Sequence, residues 1–232
     1  LFDGSVDGEV TVTAPSGNRY IRRENVTDWA LEEYRKRYGV DVGKADIFYY
    51  VYGVLHSPDY REEYQNDLKR MLPRIPFVAT AEEFWVFAEA GRQLADLHLN
   101  YETVQPWPLE EEIDGEPDDF ATYRITRMGF GRMQDRQEDR TVIVYNEHIV
   151  LRGIPLEAYG YIVNGKSPIE WIMERYGVSE HRRSGIVNDP NKWLEEQGEP
   201  RYVIDLIKRI VRVSVETVEI MDSLPKLSLV LS

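Results

Sequence analysis

An α+β fold is expected: an N-terminal helical layer, then a mixed, largely antiparallel sheet with helices, closed by a long C-terminal helix. Three observations lead there. Helical spacing with capping signals fills residues 25–101. Short strand-like runs with turn signals begin only after residue 120. An apolar pattern unbroken by Gly or Pro then runs from Arg201 to Leu224.

Asn25 to Tyr38 has a cap-type start and stops at Gly39, a favoured residue after a helix. Asp46 to Leu55 places Ile47, Val51, Val54 and Leu55 on one helical face. Ser57-Pro58 restarts a helix, with Ser as cap and Pro in the first turn, and that helix is expected to reach Pro73. Thr80 and Glu83 form a capping box. After it, Phe84, Phe87, Ala88, Gly91, Leu94, Ala95 and His98 share one stripe. Gly91 within that stripe implies close approach of a neighbouring backbone.

Residues 102–119 change character, with eight acids, no Lys or Arg, and Pro106, Pro108, Gly115 and Pro117. The stretch 102–120 is therefore expected to be an acidic linker or loop. It separates a mainly helical part, 1–101, from a mixed α/β part, 121–232, of what is read as one integrated domain. In the second part, 121–128 reads as a strand and Gly129-Phe130-Gly131 as a turn. Residues 141–145 and 148–151 read as a hairpin about Asn146-Glu147, and 161–163 as a short strand. Ser167-Pro168-Ile169-Glu170 starts a helix to Tyr176, and Asp189-Pro190 starts another that ends near Gly198. Val203, Leu206, Ile207, Ile210, Val218 and Met221 make the last segment a helix, since it is too long for a strand.

Composition narrows the function classes. The 232 residues hold 42% hydrophobic and 12% aromatic side chains, enough for a core. Apolar runs such as Ile47 to Leu55 are far too short to span a bilayer, and no secretory leader is visible. With no cysteine there is no disulfide, thiolate metal site or cysteine nucleophile, which fits a reducing cytoplasm. The chain opens at Leu1 with a polar, Gly-rich stretch and is expected to be a fragment of a larger protein. A net charge of −13 argues at first against a nucleic-acid partner.

Four patterns bear on chemistry. Gly160 to Ser167 fits the phosphate-loop spacing G-x-x-x-x-G-K-[ST], but no hydrophobic strand precedes it and Pro168 follows directly. A strand, a turn at Asn164-Gly165 and a Ser-capped helix explain it as well; a nucleotide-binding or hydrolytic enzyme using Lys166 and Ser167 is the competing reading. Pro58-Asp59 with Asp67-Leu68-Lys69 imitates a metal-nuclease signature, yet all lie on one expected helix, about 12 Å apart along its axis. The histidines His56, His98, His148 and His181 are scattered and form no zinc pair. No nucleophile elbow appears either.

The basic residues are grouped. Residues 121–152 contain six arginines against four acids; in an extended strand Arg132, Gln134 and Arg136 would share a face. Arg and Gln are side chains that pair bidentately with guanine and adenine edges. The segment His181 to Trp193 adds Arg182, Arg183, Ser184, Asn188, Asn191 and Lys192, which suit phosphate or base contacts. With Arg124, Arg127 and Lys166 these make the candidate DNA-binding set; no catalytic or metal residue is assigned. The acidity is segregated in 102–119, so it does not exclude DNA. It predicts a weak, orientation-dependent grip by this chain alone.

Residues 50–76 (YVYGVLHSPDYREEYQNDLKRMLPRIP) resemble a known family, and the likeness continues in 84–102, 144–155, 161–171, 184–193 and 201–225. Together these segments resemble the C-terminal specificity domain of Type ISP restriction–modification enzymes, found also at the end of large helicase-like bacterial proteins. The resemblance implies a non-catalytic domain that chooses the DNA site for both methylation and cleavage. It implies double-stranded DNA and the adjacent methyltransferase and coupler domains as partners. It implies that ATP, Mg and S-adenosylmethionine act in upstream domains, with no cofactor in this one. An interdomain docking module without base readout is the other reading. Recognition domains differ in the residues that read bases, so the resemblance leaves those residues open.

Overall fold

The structure is a computed structural model and describes residues 10–13, 19–22, 24–117, 119–181 and 184–228. Among these residues the fold is α+β, as expected, with eight α-helices, a four-stranded antiparallel sheet and two separate two-stranded ribbons. Strands β1 (Val10–Thr13) and β2 (Arg19–Arg22) pair with each other. Helices α1 (Asp28–Tyr38), α2 (Lys44–His56), α3 (Pro58–Leu68) and α4 (Ala81–Leu99) make the helical layer.

Side-chain caps hold α3 and α4 at their predicted starts, and α1 at Thr27, two residues past the expected Asn25. Thr27, Ser57 and Thr80 each accept an amide of the first turn, and Glu83 closes the Thr80 box. α3 ends at Leu68, short of the expected Pro73, and residues 67–71 tighten into a turn on the Asp67 carbonyl. The irregular stretch that follows is held from three helices. Tyr60, Tyr50 and Tyr38 donate their hydroxyls to the carbonyls of Arg74, Pro76 and Val78 at 2.8, 2.7 and 2.9 Å. Tyr34, Tyr38, Tyr50, Phe84 and Phe87 fill the core of this layer, with ring centroids 4.7 to 6.3 Å apart.

The sheet runs in the order β3-β6-β5-β4, from Glu110–Ile113, Ile149–Arg152, Glu138–Val144 and Gly129–Arg132. Thus a strand, β3, lies inside the acidic stretch read as loop. Its Glu111 accepts from Arg201 at 2.7 Å and Lys208 at 2.6 Å, and Glu112 pairs with Arg152. Cation partners far along the chain make an acid-rich strand tenable, and no local signal announces them. Burial pushes the Glu111 carboxyl up, but Lys208 and Arg201 outweigh it and hold the group below its ordinary value.

Four further expectations are corrected. Residues 121–128 are not a sheet strand: α5 (Phe120–Tyr123) leads into an extended segment. Gly129-Phe130-Gly131 is no turn but part of β4, with a bulge at Phe130/Gly131 where a Cβ on Gly131 would lie 2.8 Å from the Val142 Cβ. The β5–β6 connection takes residues 146–148, since the Tyr145 amide donates to the Ile149 carbonyl. Residues 161–163 form only a bridge, Val163 to Lys166.

Helices α6 (Pro168–Tyr176) and α7 (Asn191–Gln197) and the ribbon β7 (Ser179–His181) with β8 (Ile186–Asn188) follow. The expected long helix is present as α8 (Tyr202–Ser223). Val203, Ile204, Ile207 and Val211 of α8 pack on Ile143, Ile149 and Leu151 of the sheet, forming a second core.

A buried polar cluster joins α2, α4 and α8. His98 is hydrogen-bonded on both ring nitrogens, to the Tyr52 hydroxyl at 2.8 Å and Thr217 Oγ1 at 2.9 Å, and stacks on Tyr161. Burial, helped by the His56 ring 5.5 Å away, pushes the His98 imidazole down to about 4. The unfolded chain therefore binds a proton between pH 6.5 and about 4 that the folded chain refuses, so this group's stabilisation is lost as pH falls through that window. Discounted for its solvated edge, the slope is about 1 kcal/mol per pH unit. Urea unfolding of wild type and His98→Gln across pH 7 to 4 is expected to give curves that converge on acidification; parallel curves would refute the coupling.

Candidate nucleic-acid interface

The extended segment after α5 is the best-fixed part of the basic surface. Asn146 donates its amide to the carbonyls of Thr122 and Arg124, at 2.8 and 3.0 Å. Its carbonyl oxygen accepts from the amides of His148 and Ile149, at 2.8 and 2.7 Å. Asn191 grips the next residue from the other side: it accepts from the Ile125 amide at 2.7 Å and donates to the Ile125 carbonyl at 2.9 Å. The Val178 amide then donates to the Thr126 carbonyl at 2.9 Å. Three separate elements thus hold 122–126, while Ile125 and Met128 point into the core. Strict alternation is broken here: Thr126 and Arg127 are both exposed between buried Ile125 and Met128, and Arg124 is exposed as well.

The two arginines line an open cleft of about 350 Å³ with Ile125, Thr126, Val178, Asp189 and Asn191. Lys192 follows at the start of α7, exposed. The ion pairs here are surface pairs: Arg124 to Glu195 at 3.7 Å and Lys192 to Glu196 at 3.9 Å. Such pairs stabilise little and exchange readily for phosphates. Arg127 has no ion-pair partner among the described residues.

Arg132, Gln134 and Arg136 do not share a strand face. β4 ends at Arg132, and residues 133–137 form the β4–β5 turn, closed by the Met133 amide on the Gln137 carbonyl at 2.9 Å. Arg136 sits at φ +71°, a left-handed conformation no periodicity argument anticipates. All three side chains are exposed at the hairpin tip, which suits probing a groove better than lying flat on one.

The family model for the Type ISP C-terminal specificity domain matches residues 5–206. The chain belongs to that family. Solved structures agree. The fold is similar to a nuclease-deletion mutant of the Type ISP restriction-modification enzyme LlaGI in complex with a DNA substrate mimic, at TM-score 0.69 and 40% identity over 82% of this chain. It is similar to the ATP-dependent Type ISP enzyme LlaBIII bound to DNA, at TM-score 0.77 and 30% identity over 95%. It is also similar to the DrdV–DNA complex, at TM-score 0.74 and 31% identity over 94%. The chain spans 14% of the LlaGI and LlaBIII chains and 21% of the DrdV chain. No curated protein matched.

In this specificity domain the remaining candidates divide. Asn191 is 2% exposed and belongs to the clamp, its side-chain amide spent on the Ile125 backbone. The Asn188 amide donates to the carbonyls of Arg175 and Gly177, at 3.0 and 3.3 Å, and anchors the β7–β8 ribbon. Ser184 Oγ accepts from the Ile186 amide at 3.5 Å. Arg182 and Arg183 lie outside the described residues. Lys166, in the turn before α6, is held by Glu174, its ammonium 5.1 Å from the Trp171 ring centroid, and does not line the cleft.

The loop around Lys166 is a tight turn. Asn164 and Gly165 have φ of +52° and +85°, and Val163 and Lys166 bond each other's backbone at 2.9 and 3.3 Å. Ser167 is fully buried and caps α6 in a box with Glu170. The Val163 and Lys166 amides, which a phosphate cradle would need free, are spent on each other's carbonyls. Asp59 and Asp67 both lie on α3, as expected, and Asp59 accepts from the Leu227 amide at 3.0 Å. Among the described residues no group of three acids or histidines could hold a metal ion, and no helix is long and apolar enough to cross a membrane.

Sequence reasoning missed Asn146, read only as a turn residue, and the apolar pair Ile186-Val187. For the first, the signal is hidden: its partners are backbone groups more than twenty residues away. For the second, an isoleucine and a valine beside Gly185 in a polar segment were legible but unexplained.

Proposed function

We propose that this chain is the target-recognition module of a single-chain Type ISP restriction–modification enzyme. It reads double-stranded DNA and takes no part in bond breaking. ATP, Mg and S-adenosylmethionine then belong to other parts of that enzyme, which carries out methylation and ATP-dependent cleavage in the cytoplasm. The observation that carries this reading is the clamped segment 122–126. Three elements converge to fix a short backbone that presents Arg124, Thr126 and the adjoining Arg127 to an open cleft. Membership of the specificity-domain family and likeness to three DNA-bound structures support it. Arg124, Arg127 and Lys192 place the phosphates; the exposed tip with Arg132, Gln134 and Arg136 supplies base contacts. The helical half, with Trp29, Phe48 and Trp85 exposed, faces the methyltransferase and coupler parts.

DNA binding measured against salt tests this. Arg124→Ala with Arg127→Ala is expected to weaken binding for all sequences and to lower the slope of log K against log salt by about 2. In the full enzyme, deletion of 121–232 is expected to abolish sequence preference while ATPase activity persists. An unchanged preference would overturn the assignment.

A further inference from the structure

Strand β8 presents a surface that the fold does not use. Among the described residues it pairs only with β7, as a two-stranded ribbon separate from the main sheet. Its three residues are all exposed, Ile186 by 68% and Val187 by 57%. A lone two-stranded ribbon is marginal in water, and apolar side chains on both of its faces make it worse. Val40, Leu72 and Leu99 are as exposed, by 79, 87 and 79%, but none of them lies on a strand, whereas Ile186 and Val187 stand on the two faces of a ribbon separate from the main sheet. Yet the ribbon is firmly rooted. Asn188 ties its far end to the α6 terminus, and Val178, just before β7, donates to Thr126 of the clamped segment. Its base therefore adjoins the cleft of Arg124 and Arg127.

We propose that the β7–β8 ribbon enters the major groove of duplex DNA and that Ile186 reads a thymine through its methyl group. This deepens the target-recognition reading and rests on it. The occupant follows from the chemistry around the strand. Exposed Arg124, Arg127, Arg175 and Lys192 lie on the segments that root it, together with Asp189 and the surface partners Glu195 and Glu196. An apolar strand beside surface cations whose carboxylate partners exchange for phosphates fits a polyanion whose interior offers methyl groups, and a two-stranded ribbon fits the width of the major groove. The register selects the residue. Val187 lies opposite Glu180, and cross-strand partners share a face, so that face carries an acid that phosphates and most base edges repel. Ile186 lies on the other face, and that face turns to the DNA.

Enrichment from a pool of random duplexes, using the 232-residue chain at low salt, tests the proposal. The wild type is expected to select a site containing a thymine whose replacement by deoxyuridine weakens binding about fourfold, the worth of one buried methyl. Ile186→Ser is expected to lose the preference for that thymine and its sensitivity to deoxyuridine. Val187→Ser, equally exposed, keeps both. Unfolding curves matching the wild type show that both variants fold. If Ile186→Ser selects the same site with the same deoxyuridine effect, or if no thymine in the selected site is sensitive, the groove-reading role of β8 is wrong while DNA recognition stands. If the wild type enriches no sequence, both fall.

Discussion

Gly91→Ala is expected to cost roughly 3 kcal/mol or more of stability, although Ala in place of an interior helix Gly ordinarily gains about 0.5–1 kcal/mol. The sign reverses because of what a Cβ would meet. On Gly91 it would lie 1.8 Å from the Tyr49 carbonyl oxygen and 2.8 Å from the Gly53 amide nitrogen. On Gly53 it would lie 2.2 Å from the Phe87 carbonyl oxygen. These are backbone atoms of the facing helix, so no side chain can swing aside. The two glycines form a reciprocal notch where α2 and α4 cross at backbone contact. Relief requires the helices to part, which loosens Ile47, Tyr50 and Val54 against Phe84 and Phe87. Urea unfolding measures the effect. Gly129→Ala is the control: it has open space within 4 Å and ordinary backbone, so it should stay within about 0.5 kcal/mol of wild type. A Gly91→Ala protein as stable as wild type would show that the helices do not meet so closely.

The second large effect concerns the interface itself. Asn146→Ala removes a buried amide that satisfies the Thr122 and Arg124 carbonyls and the His148 and Ile149 amides. Orphaning buried backbone groups is more costly than losing an exposed bond, and about 3 kcal/mol of destabilisation is expected. Asn146→Asp sharpens the test. Its oxygens can still accept from His148 and Ile149, but an ionised carboxylate would face two carbonyl oxygens. That variant should be destabilised at neutral pH and recover in part on acidification, when the carboxyl regains a proton to donate. Both variants should also weaken DNA binding, since the segment that carries Arg124 and Arg127 loses its grip. Wild-type stability in Asn146→Ala would show that solvent or a neighbouring group can satisfy those backbone atoms.

These two residues illustrate what was legible. Gly91 stood out because glycine interrupts an otherwise apolar helical stripe, and only a close backbone explains that economically. Its partner Gly53 was not singled out, because the pairing joins two helices nearly forty residues apart. The caps at Ser57, Thr80 and Ser167 were readable because a capping side chain acts within three residues of its target. The hairpin tip was misread: parity assumes an extended chain, and Arg136 breaks it at φ +71°. Asn191 looked like a polar loop residue suited to DNA, and the structure buries it on Ile125.

The amino-acid sequence by itself determined the helical layer, the long last helix, the separation of acidic from basic segments and, through its family likeness, the kind of domain this is. Those properties rest on spacing of a few residues and on composition, which are local. Which cations face outward, which asparagines hold the backbone and which apolar strand is left uncovered were decided only by the tertiary structure. Each depends on groups brought together across dozens of residues, as Asn191 is to Ile125 and Lys208 to Glu111. Such meetings are settled by how the cores pack, and no local pattern encodes them.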